Sequence, residues 1–393
     1  MTENFNEVHD RYNTQSVKWD VYPADVLPLW VADMDFKAPE AVLKILHERV
    51  NHGIFGYESD CGKLKDIFVQ WAEKHYRWKV KQEEILLIPG VVTGLNLAAQ
   101  SLTQPGDGVL IQPPVYPPFF GIARNANLVT VEAPLMLDSK YHYSIDFDKF
   151  EAAITPHTRL FILCNPHNPV GRVFTRNELQ KAAEICLKHD LMMISDEIHC
   201  DLIYDGLKHT PLAALDQQIS ERTITLMSPS KTFNIAGLKC SMMIIQDADL
   251  LNRVEKGRRG VVGEPSILGL EAAYAAYAMG EKWLKNLLIY LKGNRDYTIN
   301  YLKKNLPQIK MPTPEGTYLA WLDCRQLDLK PNPYEFFLSQ AKVALNDGHA
   351  FGVGGEGFVR LNYGCPRKTL AEALDRMNNA IKKNGLKIWY IPE

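Results

Sequence analysis

The sequence predicts an α/β protein: a large domain built on a mostly parallel seven-stranded sheet sandwiched by helices, with a smaller α+β domain attached. Three observations predict it. The chain has 393 residues, more than one hydrophobic core usually accommodates. From about residue 83 to residue 245, short apolar runs alternate with helical-period segments, the pattern of a sheet covered on both faces. After about residue 280 the pattern changes to a long helix, two strands and a closing helix.

The predicted strands of the large domain are residues 85–88, 108–112, 128–131, 160–164, 191–195, 224–227 and 241–245. Most of their residues are apolar, as strands buried on two faces require. Helical patterns lie between many of them. Residues 175–189 open on Thr175 with Glu178 three positions later, a capping box in which each side chain satisfies a backbone N–H at the helix start. A second helical pattern covers residues 95–102. Residues 1–29 contain Pro23 and Pro28 and show little periodicity, so they read as an extended arm. Beyond residue 280 come a helix over 282–306, strands over 318–322 and 358–362, and a last helix from about Lys368. The expected division is residues 1–45 as the arm and part of the small domain, 46–284 as the large domain and 285–393 as the small one.

Lysine and arginine number 44 against 46 acidic residues, a net charge of −2, which gives no basic field for nucleic acid and leaves a small molecule as the expected partner. No apolar run is long enough and free enough of charge to span a bilayer, and the first twenty residues are polar, so the expected location is the cytoplasm. Seven cysteines, an odd number with no C-x-x-C pair, signal neither a disulfide frame nor a zinc site.

Four loops that follow predicted strands carry chemistry, and the loops at the carboxyl ends of strands are where open α/β sheets bind ligands. Met227-Ser228-Pro229-Ser230-Lys231-Thr232-Phe233-Asn234 puts two hydroxyls and an amine within four positions. Hydroxyls suit a phosphate and an amine suits a carbonyl. Cys164-Asn165-Pro166-His167-Asn168-Pro169-Val170-Gly171 is a turn enforced by two Asn-Pro steps, from which Asn168 can hydrogen-bond a phenolate-like oxygen. Ile194-Ser195-Asp196-Glu197-Ile198-His199 ends an apolar strand in a carboxylate, suited either to an N-cap or to a protonated pyridine nitrogen. Pro89-Gly90-Val91-Val92-Thr93-Gly94 leads from a strand into a helical pattern, where backbone N–H groups form a phosphate cradle. Each loop alone also reads as an ordinary turn.

In this order the four loops resemble the aspartate-aminotransferase fold family (fold type I) of pyridoxal-phosphate enzymes over essentially the whole chain. Within it the sequence is most similar to the cystathionine β-lyase branch of the MalY/PatB type. That likeness is carried by Leu29-Trp30-Val31-Ala32-Asp33-Met34-Asp35-Phe36, Gly53-Ile54-Phe55-Gly56-Tyr57 and Asp196-Glu197-Ile198-His199. The resemblance implies pyridoxal 5'-phosphate as cofactor, held as a Schiff base by the catalytic Lys231. Asp196 meets its ring nitrogen, Asn168 its phenolic oxygen and Tyr116 its ring face. The Val91 and Val92 N–H groups, Ser228, Ser230 and Lys239 take its phosphate. Arg360 grips the substrate carboxylate, and Trp30, Val31, Ala32, Tyr116 and Tyr57 complete the substrate site. Tyr57 resembles a tyrosine that reaches the cofactor phosphate of a neighbouring subunit, which implies a homodimer with shared active sites.

Two positions depart from the aminotransferase pattern. His199 stands where many of those enzymes place a tyrosine against the phenolic oxygen, and Pro117 stands where some carry a second aromatic residue. Lys239 occupies a position that is commonly arginine in the wider family, a point charge in place of a fork. The implied reaction is β-elimination from cystathionine, cysteine or another cysteine S-conjugate, yielding a thiol, pyruvate and ammonia. The rivals are an aminotransferase using the same lysine and a pyridoxal-phosphate-binding regulatory protein. Residues 258–265, rich in glycine, are expected to supply a movable wall of the pocket.

Overall fold

A computed structural model describes residues 3–58 and 61–385. Seven strands form the large sheet: β1 (Ile85–Ile88), β2 (Gly108–Ile111), β3 (Val129–Glu132), β4 (Thr158–Cys164), β5 (Met192–Asp196), β6 (Thr223–Met227) and β7 (Ser241–Ile245). Their order across the sheet is β1-β7-β6-β5-β4-β2-β3. Only β7 runs against its neighbours, being antiparallel to both β1 and β6, while the remaining pairs are parallel. All seven predicted strands are present, with ends shifted by at most two residues. Alternate residues of β4 feed the two faces. Leu160, Ile162 and Cys164 join one apolar cluster, whereas Phe161 and Leu163 join another, as the two-residue period of a strand dictates.

Helix α1 (Val91–Leu102) covers the first face and α2 (Arg176–Lys188) the second. The capping box of α2 is formed as expected: Thr175 accepts from the Glu178 N–H, and Glu178 accepts from the Thr175 N–H. Helix α1 begins a full turn earlier than the apolar pattern indicated, because Gly94 lies inside it. Gly94 is there for close packing. A Cβ would fall 2.3 Å from Ile88 Cδ1 and 2.7 Å from Leu226 Cδ2, so glycine lets the helix rest directly on β1 and β6 and sets where its N-terminus ends up.

In the C-terminal part, β8 (Leu319–Asp323), β9 (Asn346–Asp347) and β10 (Phe358–Asn362) form an antiparallel sheet in the order β8-β10-β9. It packs with α3 (Glu281–Asn305) and α4 (Arg367–Lys383). The N-terminal arm reaches this region: Leu27–Pro28 pairs in parallel with Val343–Ala344, and the Phe5 ring meets Phe36, Trp283 and Tyr290. Six of the seven cysteines are buried and Cys61 is half-buried, all as thiols. Among the described residues no cluster of His, Cys, Asp and Glu is arranged to hold a metal ion, and no helix is long and apolar enough to cross a membrane.

Candidate active site

The carboxyl ends of β1, β4, β5 and β6 converge on a cleft of about 450 Å³ whose opposite wall is built by residues 30–32, Asn346 and Arg360. Its floor follows from register. Cys164 at the end of β4 pairs with Asp196 at the end of β5, so the carboxylate emerges at the sheet edge, 3% exposed. The Ile198 N–H donates to it at 3.2 Å. Burial raises the Asp196 carboxyl to about 7, against the pull of the Ile198 N–H and of Lys231.

Lys231 projects from a one-turn helix, Pro229–Thr232, that follows β6. Its amine donates to the Ala32 carbonyl at 2.6 Å. Removal from water, with the Arg360 charge adding to it, pushes this amine down to about 8, while Asp33 and Asp196 oppose the shift. A neutral amine is the nucleophile that captures an aldehyde, so a larger share of the Lys231 amine is available near neutral pH than at an ordinary lysine. We therefore expect the rate at which cofactor-free protein captures pyridoxal phosphate to rise with pH and level off above about 8. Stopped-flow absorbance at several pH values checks it. A rate still climbing beyond pH 10 refutes the depressed amine.

The N-terminus of α1 opens into the same cleft. Val91, Val92 and Thr93 occupy its first three positions, where N–H groups have no partner within a helix. Gly90 precedes them at φ +111°, a conformation that strongly favours glycine. Ser230 and the exposed Lys239 stand beside this end, which makes it a cradle for an anion. Tyr116 lines the cleft half-buried, and His199 lies at its base, 2% exposed. Burial holds His199 well below the ordinary histidine range, so it is neutral, and its buried Nδ1 has no hydrogen-bond partner within the protein.

Arg360 enters from β10, itself 4% exposed. It donates to Asn168 Oδ1 at 2.9 Å, to Asn346 Oδ1 at 2.6 Å and to the Trp30 carbonyl at 2.9 Å. Its Nε is buried without a partner, and a guanidinium in such a position matches a carboxylate.

Of the residues expected at the site, Lys231, Asp196, Asn168, Tyr116, Val91, Val92, Ser230, Lys239, His199, Arg360, Trp30, Val31 and Ala32 all line this cleft. Two do not. Ser228 lies behind Ser230, 1% exposed, where its hydroxyl accepts from the Ser230 N–H and lies 2.8 Å from the Cys240 carbonyl. It is committed to capping the short helix. Tyr57 is fully exposed and is not part of the cleft lining of its own chain. Residues 258–265 also fail to line it. Their turn is tied to β1 by Arg258, which donates to the Leu87 carbonyl at 2.7 Å, and Val261 points to solvent. Asn346 was missed because it sits in a two-residue strand, too short for any periodicity. Its register opposite Arg360 is what brings it in.

The residues present fit pyridoxal phosphate: an amine for the aldehyde, a buried carboxyl for a ring nitrogen, an unpartnered imidazole nitrogen and a helix N-terminus with a lysine for the phosphate. The family model for class I and II aminotransferases matches residues 24–377. The chain belongs to that family. Members similar to it include the cystathionine beta-lyase PatB of Bacillus subtilis, 43% identical over 388 residues that cover 96% of this chain and all of that one. Among solved structures, cystalysin from Treponema denticola, which contains pyridoxal 5'-phosphate, superposes with a TM-score of 0.94 at 37% identity, over 98% of this chain and all of that one. The pyridoxal-phosphate-bound C-S lyase from Staphylococcus hominis gives 0.91 at 35% identity, over 97% and 99%. This family member is a pyridoxal-phosphate enzyme.

Proposed function

We propose that the chain is a carbon–sulfur β-lyase that converts cystathionine or related cysteine S-conjugates to a thiol, pyruvate and ammonia, in the cytoplasm and as a homodimer. The observation that carries the reading is the wall formed by residues 30–32. Its Ala32 carbonyl meets the Lys231 amine, and it belongs to the segment, 29–36, that likens the chain to β-lyases. The 43% identity to a protein named cystathionine beta-lyase supports it.

When bound, pyridoxal phosphate supplies an electron sink for negative charge developing at the substrate Cα. The protein supplies the rest. Arg360 pairs with the substrate carboxylate and so fixes which bond at Cα faces Lys231. Lys231 Nζ, neutral in part near pH 7 because of its depressed pKa, takes the α-proton. The electron pair left at Cα then expels the Cβ substituent as a thiolate, and water completes the conversion of the three-carbon remainder to pyruvate and ammonium. Asp196 holds a proton at the ring nitrogen. His199, neutral and with Nδ1 free of protein partners, would take the role that a tyrosine hydroxyl has in many aminotransferases and support the phenolic oxygen of the bound cofactor. Tyr57, exposed in the loop after Glu40–His52, would reach the cofactor phosphate held by a second subunit.

The test supplies cystathionine and cysteine S-conjugates to the purified holoenzyme without any oxo acid and measures pyruvate and thiol together. Equal amounts of the two are expected. Amino transfer to an added oxo acid with no pyruvate would instead make the chain an aminotransferase, and a bound chromophore with neither product would make it a regulatory protein.

A further inference from the structure

A partly buried charge cluster lies beside the cleft wall, with Lys18 and Asp35 buried and Arg11 and Asp33 about a quarter exposed, and the β-elimination makes no use of it. Lys18, 0% exposed at its side chain, meets Asp35, 4% exposed, at 2.7 Å and Asp33 at 3.6 Å. Arg11 donates to Asp35 at 2.6 Å, to the two oxygens of Asp33 at 2.9 and 3.2 Å and to the Met34 carbonyl at 3.2 Å. The Trp19 indole donates to Asp35 at 2.9 Å. Two cations and an indole of the N-terminal arm thus clamp both carboxylates that flank Met34. Taking Lys18 and Asp35 out of water offsets much of their attraction, so what the cluster gains is mainly a fixed position for the chain between Asp33 and Asp35.

What it positions is a run of carbonyls. Arg360 holds the Trp30 carbonyl at 2.9 Å, Asn362 holds those of Val31 and Asp33 at 2.6 Å each, and the Tyr318 hydroxyl holds that of Ala32 at 2.8 Å. Ala32 alone of these also receives the Lys231 amine. A neutral amine has two N–H donors and one lone pair. Committing one N–H to Ala32 limits how that lone pair is aimed.

We propose that Asp33, clamped by Arg11 and Lys18 of the N-terminal arm, is a positioning residue for Lys231: it fixes the turn whose Ala32 carbonyl receives the lysine amine whenever that amine is free. The proposal rests on the reading above only in taking Lys231 as the base that removes the α-proton. The groups that bear on the amine are Arg360, Asp33 and Asp196, with the Tyr318 hydroxyl, Tyr116 and the neutral His199 completing its surroundings. Asp33 is the carboxylate that acts on the amine from the side of the arm.

The test follows exchange of the α-proton of L-alanine in D2O by NMR, with holoenzyme of the parent chain and of Asp33→Asn, Arg11→Met and Arg11→Lys. Alanine has no leaving group at Cβ, so exchange reports proton removal alone. Asp33→Asn and Arg11→Met are expected to slow exchange at saturating alanine by about tenfold or more, with KM changed by less than about threefold, the signature of a misplaced base. Arg11→Lys is expected to restore most of the rate. In Asp33→Asn the limb of the pH profile that follows the neutral amine moves to lower pH, because a carboxylate that raises the lysine pKa is gone. Unchanged exchange in both variants would overturn the proposal. So would a loss explained wholly by lower cofactor content or melting temperature with the pH limb unmoved, and so would a parent enzyme that exchanges no α-proton. Normal exchange in a parent enzyme that makes no pyruvate from cystathionine would sink the lyase reading and leave this test intact.

Discussion

Lys231→Ala is expected to lower kcat/KM for β-elimination by at least about 10⁴-fold, since a positioned general base alone contributes about 10²–10⁴ and this lysine also anchors the cofactor. Among the described residues this amine is the one lysine nitrogen on the cleft floor. The other lining lysine, Lys239, is exposed at the phosphate end and cannot replace it. The effect separates into two readouts. After borohydride treatment the parent protein should carry cofactor covalently and the variant should not, which reports the anchor. Added methylamine should restore part of the turnover in the variant, more at higher pH, which reports the base. Retention of turnover near the parent level without added amine would show that another group takes the α-proton.

The part of this site that was legible in the sequence is the part made by strand ends. Asp196, Asn168, Lys231 and the residues after Gly90 each follow an apolar run, and a parallel sheet brings the carboxyl ends of such runs to one edge. Arg360 was legible only through family likeness, because nothing in the pattern of β10 shows which of its residues faces the cleft. The rest depends on contacts that no local pattern encodes. Ser228 carries the right functional group, but the cap of a one-turn helix and the Cys240 carbonyl claim its hydroxyl. Arg11, Lys18 and Trp19 lie in a stretch with neither periodicity nor motif, yet they meet Asp33 and Asp35 more than a dozen positions away. The start of α1 was misread because a packing glycine, Gly94, resembles a loop glycine until β1 and β6 are seen beneath it. Residues 258–265 and Tyr57 carry loop-like sequences, and neither reaches the cleft of the chain that bears it.

Asp196→Asn is expected to lower kcat by about 10²–10³-fold, comparable to the loss when one preorganised group that stabilises developing charge is removed, with KM little affected because Arg360 still meets the carboxylate. Asparagine keeps the shape and can accept a hydrogen bond, but it offers no charge to keep a proton at the ring nitrogen. The cofactor-free protein gives an independent check on the same carboxyl. Burial raises its folded-state pKa to about 7, above the ordinary carboxylate value of 3.8. The folded state therefore binds the proton more tightly than the unfolded state, and this group's contribution to stability is full below that ordinary value and is lost as pH rises to about 7. Asparagine cannot ionise, so the variant should lose less stability over that interval and should melt higher than the parent above pH 7 when both lack cofactor. A parent and variant with parallel melting curves from pH 4 to 8 would mean that Asp196 is already ionised at little cost, and the loss of activity would then have to come from geometry alone. If both the flatter stability profile and the fall in kcat appear, the same buried charge that weakens the empty fold is the one that supports the reaction.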